Sequence, residues 1–223
     1  KKIDAPPLPA QNSETQPKKY KREELVPLDP AVRNIPIALS GLPKRVKACS
    51  ENATFYSYNA EGIRDYGFGC AWRAIQTCLS TYKIEVPFET LFHTFGPLES
   101  LKRIYQEKYP EEELSSSKPF APYDLTSGWA EPFIGHLVMH YYKIPSALES
   151  INGMPGSCHM PEQALHNKPL NFHALRDRLE SHFKAQNPSP VMIDDGLYAL
   201  NIVGIEKEGN HTTLWIADPH IQE

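Results

Sequence analysis

Cys70 follows Gly67-Phe68-Gly69, and the last segment of the chain carries Asp218-Pro219-His220. A thiol, an imidazole and a carboxylate are the materials of a thiol-protease triad, and their order along the chain is immaterial because geometry defines the triad. Two glycines around an aromatic read as a tight turn, since glycine reaches backbone angles that a Cβ resists. That turn delivers Cys70 to the first turn of a helix. A thiol there faces the positive end of the helix macrodipole, a setting that favours the nucleophilic thiolate. Alone, such a cysteine reads more simply as a small core residue. The glycine bracket and the distant Asp-Pro-His segment favour chemistry. Asp218 and His220 stand at i and i+2, and in an extended segment such side chains share one side. The carboxylate is therefore placed to orient the imidazole. Asp194-Asp195 is a second acidic pair. It invites an acid–base or metal reading, against the simpler reading of a polar strand end.

These residues need elements to position them. After Cys70, the residues Ala71, Ile75, Cys78, Leu79 and Tyr82 recur at helical spacing, which predicts one buried helix face. Val46 to Tyr58 reads as a strand entering the domain, and Asn59 to Arg64 as a polar turn. Val86 to Phe92 begins a short helix. Leu98, Leu101, Ile104 and Tyr105 mark an amphipathic helix ended by Pro110, and Glu111 to Ser127 reads as a long exposed loop. Phe133 to Tyr142 is helical, with Phe133, Leu137 and His140 or Tyr141 on one side. Ile151 to Leu170 reads as irregular. Phe172, Leu175, Leu179 and Phe183 form an apolar stripe on a further helix. Pro190 to Ile193 is a short apolar strand. Leu197–Ile205 and Thr212–Ala217 flank the turn signal Lys207 to Asn210, which predicts a hairpin. Helices first and antiparallel strands last argue for an α+β fold.

Composition sets the outer limits. The chain has 223 residues and a formal charge of −4, which gives no reason to expect nucleic acid. No apolar run approaches the length of a membrane span. Cysteines 49, 70, 78 and 158 have no metal-like spacing, and a reducing intracellular setting is expected. Residues 1–45 are proline-rich, with a basic cluster at Lys18, Lys19, Lys21 and Arg22, and read as a tail or linker. Residues 46–223 form the domain.

In order along the chain, these segments resemble the proteases specific for ubiquitin-fold modifier 1 (UFM), a family of papain-like cysteine peptidases. The family's nucleophile motif is Gly-Trp-Gly-Cys, an aromatic, Arg, and then Gln-Thr. Gly67-Phe68-Gly69-Cys70, Trp72-Arg73 and Gln76-Thr77 match it, with Phe68 in place of the tryptophan. Tyr58, twelve residues before Cys70, occupies the place of the family's oxyanion-hole tyrosine, and Tyr56 matches a second tyrosine. His182-Phe183, Pro190-Val191-Met192-Ile193 and Asp218-Pro219-His220 match the later motifs, and Trp129 with Ile134-Gly135 is a weaker echo. Asp194-Asp195 departs from the glycines usual after the PVMI strand. The resemblance spans roughly Phe55 to His220.

The resemblance implies a papain-like cysteine protease fold with an N-terminal nucleophile helix and helices packed on a C-terminal, mainly antiparallel sheet. It implies cleavage after the C-terminal glycine of UFM, in a precursor or on a target lysine. Cys70, His220 and Asp218 would be nucleophile, base and orienting acid, and Tyr58 an oxyanion donor. No metal or cofactor is required. A scissile glycine calls for a narrow groove, and Trp72 and Trp129 are candidate walls by residue type, with core packing as the alternative. The implied partners are the modifier and its conjugates, with a targeting partner for the N-terminal region. The implied location is cytoplasmic, at the endoplasmic reticulum surface in larger members of the family. Two alternatives stand beside this reading. The autophagy-related proteases share Gly-Trp-Gly-Cys and Asp-Pro-His, although the 148 positions from Cys70 to Asp218 are compact for them. The other is an inactive module that only binds a modifier.

Overall fold

The architecture rests on one central helix, α1 (Cys70–Ser80), whose eleven residues are all buried. The computed structural model describes residues 35–36, 41–110, 130–151 and 169–221. The basic cluster, the Glu111–Ser127 segment, Trp129, Cys158 and most of the 151–170 stretch lie outside these described residues.

Periodicity anticipates one buried face on α1, and the structure encloses the other face as well. Its apolar side (Ala71, Ile75, Leu79) enters the core, while Arg73, Gln76, Thr77 and Ser80 on the polar side are buried too. A helix can bury polar residues this way when each has partners inside the protein, and the partners here are described below. Around α1 lie α2 (Phe88–Phe95), α3 (Leu98–Lys108), α4 (Pro132–Tyr141) and α5 (Phe172–His182). Helix α4 buries Phe133, Ile134, Leu137 and Val138. Phe133 and Leu137 lie on the inner side as expected, whereas His140 is half-buried and Tyr141 is exposed. In α5 the inner end is apolar, with Leu179 and then Phe183 buried, whereas Phe172 is exposed. Leu175 is half-buried against the same core, so of the stripe only Phe172 is out of contact.

The sheet is antiparallel and centred on β5 (Ala199–Glu208). Strand β4 (Val191–Asp194) pairs with its first half and β2 (Lys47–Ala48) with its second half. Strand β6 (His211–Ala217) pairs along the opposite edge, with a register irregularity between Ile202 and Gly204. The hairpin joining β5 to β6 turns through Gly209 and Asn210, as its sequence predicts. The expected strand from Val46 to Tyr58 is two short ones, β2 and β3 (Thr54–Phe55), separated by a turn at Glu51-Asn52. The polar Ser50-Glu51-Asn52 run breaks the strand. Ala53 N–H closes the turn onto the Ser50 carbonyl, and Ser50 N–H donates to Pro188. A two-residue strand, β1 (Ile35–Pro36), pairs with β3.

Two apolar cores result. One joins α1 to α2, α3 and α4, and the other packs α5 and Cys49 against the sheet. The molecule is thus α+β, with helices against an antiparallel sheet, and α1 touches β3, β4 and β5 directly. Among the described residues no helix is long and apolar enough to cross a membrane.

Candidate active site

The turn before α1 needs both of its glycines, for different reasons. Gly67 has φ +84°, a left-handed conformation that favours glycine. Gly69 has an ordinary backbone, but a Cβ there would lie 2.3 Å from Asp65 Oδ2 and 2.5 Å from Asp65 Cβ. Asp65 is fully buried. The carbonyl of Asp65 accepts from Gly69 N–H (2.8 Å), which closes the turn and sets Cys70 as the first residue of the helix.

Asp65 is also the hinge of a buried polar network. Its Oδ2 accepts from Arg73 Nε at 2.7 Å, and both side chains are fully enclosed. Its Oδ1 accepts from Asn59 N–H at 2.8 Å. Arg73 donates further to the Ala60 carbonyl (2.8 Å) and to Gln76 Oε1 (3.0 Å), and its guanidinium lies 4.4 Å over the Phe88 ring. Gln76 donates to Glu61 Oε1 and to the Val86 carbonyl, both at 2.8 Å, and Glu61 Oε2 takes Phe88 N–H at 2.7 Å. The loop of residues 59–69 is thereby fastened to the helix that follows it. Arg73 and Gln76 are visible in the sequence as members of a motif. Asp65 and Glu61 carry no sequence signal of their own, because an acid in a polar turn is ordinary until its partner is known.

The segment before this loop is laid along α1 by two hydroxyls. Thr77 Oγ1 accepts from Tyr56 N–H at 3.2 Å, and Ser80 Oγ accepts from Thr54 N–H at 2.8 Å. The chain then reaches Tyr58, which is 3% exposed, as is Cys70. The Tyr58 hydroxyl is hydrogen-bonded with the Cys70 thiol and the Cys70 backbone N–H. Burial pushes the phenol well above its ordinary range, and the adjoining Cys70 sulfur pushes it further; the Cys70 N–H acts in the opposite direction. Tyr58 is therefore a neutral O–H donor throughout the physiological range.

Strand β6 ends at Ala217, and the next three residues bring in the acid and the histidine. Asp218 Oδ1 stands 2.5 Å from His220 Nδ1 and also accepts His220 N–H at 2.9 Å. The i, i+2 pair thus meets, in a turn at residues 219–220 rather than along the extended segment expected. With Nδ1–H donating to the carboxylate, Nε2 is the ring nitrogen left to exchange a proton. Tyr58 joins the two halves of the site. Its backbone N–H donates to the Pro219 carbonyl at 2.9 Å, and its ring meets the His220 ring edge-on, centroids 4.9 Å apart. Thus Cys70, Tyr58, Asp218 and His220, distant in sequence, form one connected cluster.

Two other readings resolve to their simpler alternative. Trp72 is no groove wall. It is 1% exposed and meets Phe92 of α2 edge-on at 5.6 Å, because α1 is enclosed on every side. Trp129 lies outside the described residues. Asp194 and Asp195 close the β4–β5 turn: Asp194 Oδ1 accepts Gly196 N–H at 2.6 Å, and Asp195 Oδ1 accepts Leu197 N–H at 2.9 Å and Tyr198 N–H at 2.8 Å. Burial, and then the charge of Asp195, push the Asp194 carboxyl above its usual range, against the Gly196 N–H that favours the anion. Cys78 is a core thiol in contact with Asn201 Nδ2 and the Pro190 carbonyl at 3.3 Å each. Burial pushes it up to about 12 and pushes Cys49 up to about 11.

No protein-family model matches the chain, and no curated protein matches it. Among solved structures, the crystal structure of UfSP from C. elegans is similar with a TM-score of 0.49 and 16% identity. The match covers 83% of this chain and 29% of that one, so the chain spans less than a third of that protein's length.

Proposed function

We propose that this chain is a papain-like cysteine protease that hydrolyses the bond after the C-terminal glycine of the ubiquitin-like modifier UFM, in a precursor or on a target lysine. The observation that carries the reading is Tyr58, whose hydroxyl touches Cys70 while its ring touches the His220 that Asp218 holds. The modifier itself rests on the motif resemblance. The burial of Cys70 adds to it, since a nucleophile that is 3% exposed is reached most easily by a carbonyl without a bulky substituent.

In this mechanism His220 Nε2 takes the proton from Cys70 Sγ, and the sulfur attacks the glycine carbonyl carbon. The carbonyl electron pair moves onto oxygen, where the Tyr58 hydroxyl and the Cys70 N–H donate to it. Collapse breaks the C–N bond, His220 protonates the leaving amine, and a thioester remains on Cys70. Water then attacks the thioester while His220 accepts its proton. The carboxylic acid leaves and the thiol is restored. Asp218 holds the imidazole with Nε2 facing the reaction and stabilises its cationic form.

The test is covalent capture. Probes made from UFM, an autophagy modifier, ubiquitin and SUMO, each with a C-terminal electrophile, are offered to the wild type and to Cys70→Ala. A Cys70-dependent adduct with the UFM probe is the expected result. An adduct with another modifier reassigns the substrate, and binding without any adduct overturns the protease reading.

A further inference from the structure

Four aromatic rings run through the candidate site. Tyr66 lies 5.0 Å from Tyr58, Tyr58 lies 4.9 Å from His220, and His220 lies 5.1 Å from Tyr198. The two inner rings belong to the proposed catalytic cluster. The outer two are 58% and 55% exposed, unlike most aromatic rings among the described residues. Their surroundings repeat the pattern. Of the eight large apolar side chains exposed among the described residues, four are Tyr66, Leu197, Tyr198 and Ile221. Tyr66 and Tyr198 contact the cluster, and Leu197 and Ile221 adjoin Tyr198 and His220 in the chain. Apolar surface gathered around a reactive centre marks a binding face.

The backbone beside both outer tyrosines is held by hydrogen bonds before any ligand arrives. Tyr66 follows the fully paired Asp65. Tyr198 is held at its backbone N–H by Asp195 Oδ1, and its ring stands edge-on to His220 at 82°. This gives Asp195 a purpose: the turn it closes carries a ring to the histidine. A rigid aromatic loses little conformational freedom when it binds, which makes it an efficient contact for an extended peptide.

We propose that Tyr66 and Tyr198 are the specificity-determining walls of this site and grip the extended tail of a protein modifier just before its scissile glycine. The proposal rests on the protease reading above and deepens it. The two exposed rings take backbone and small side chains of the tail, and the buried Cys70, at the Tyr58 hydroxyl, takes the glycine carbonyl.

The test uses the whole chain and fluorescently labelled UFM, with its tail intact or shortened by four residues. In a Cys70→Ala background, binding should depend on the tail, and Tyr66→Ala and Tyr198→Ala should each weaken it about tenfold. Tyr198→Phe, which keeps the ring, should bind within about twofold of its parent. In the active enzyme the loss should fall on KM. A fall in kcat, or a shifted pH profile for Cys70 alkylation by iodoacetamide, would mean that Tyr198 acts through His220 and would overturn the proposal. Cleavage of UFM at unaltered KM by both alanine variants would overturn the proposal and leave the protease reading standing. Tail-dependent binding lost in the alanine variants, with no cleavage by the wild type, would support the walls and overturn the protease reading. Absence of tail-dependent binding would overturn the proposal.

Discussion

Asp65→Ala isolates the staple on which the site's geometry depends. It removes the partner of Arg73 Nε at 2.7 Å in a pair whose two side chains are fully buried. Breaking a buried pair from one side leaves an uncompensated charge and costs about 3–5 kcal/mol. Arg73 keeps Ala60, Gln76 and, at 3.4 Å, Glu61, whose side chain is only 23% exposed. That remaining acid absorbs part of the charge and moves the cost of the pair towards about 3 kcal/mol. The loss of the carboxylate that caps Asn59 N–H adds about 1.5–3 kcal/mol, as expected for a hydrogen bond to a charged group. The sum of about 4.5–6 kcal/mol is read from denaturant unfolding as a lower midpoint at constant slope. The double variant Asp65→Leu/Arg73→Met removes the stranded charge and should recover at least half of the loss. Activity should fall with Asp65→Ala as well, because the released loop connects Tyr58 to Cys70. A cost below about 1 kcal/mol for Asp65→Ala, or a double variant weaker than both singles, would refute the staple.

Four other outcomes follow from the same structure. Gly69→Ala should destabilise by about 1–3 kcal/mol in the same unfolding assay, because the new Cβ meets Asp65 Cβ at 2.5 Å and no side-chain rotation clears that contact. Tyr58→Phe should lower turnover about a hundred- to a thousandfold with the fold intact, and an unchanged rate in a probe-cleavage assay would remove Tyr58 from the oxyanion role. Iodoacetamide at pH 8, followed by peptide mapping, should leave Cys49 and Cys78 unmodified in the native protein, since burial holds both as neutral thiols. The sign of the Cys78 shift also fixes a pH dependence. A thiol raised from its usual value of about 9 to about 12 holds its proton more tightly folded than unfolded. Its contribution to stability is therefore complete below pH 9 and lost as pH rises towards 12. Cys78→Ala should flatten the stability curve over that alkaline window in urea titrations at several pH values.

The sequence by itself determined the elements with strong period or strong punctuation. The helix from Cys70 and the β5–β6 hairpin are local matters, set by apolar spacing and by Glu208-Gly209-Asn210 turn chemistry. So is the meeting of Asp218 with His220, two residues apart on one short segment. The chain also carried the separate parts of the site, because a cysteine after a glycine-bracketed aromatic and a histidine after Asp-Pro are unusual at the level of residue type.

Tertiary structure decided everything that depends on what stands opposite. Trp72 reads as a groove wall or a core residue alike until α2 covers it. The polar side of α1 reads as a solvent face until Asp65, Glu61, Thr54 and Tyr56 supply its partners. Tyr66 and Tyr198 carry no motif, and only the meeting of four segments puts their rings in line with Tyr58 and His220. The physical reason is the same in each case. Local backbone preference and periodicity act over a few residues, and they fix which element forms and which way its apolar face points. Burial of a polar side chain, pairing of a charge and exposure of a ring are properties of two surfaces brought together. They have no value until the chain has chosen which surfaces those are.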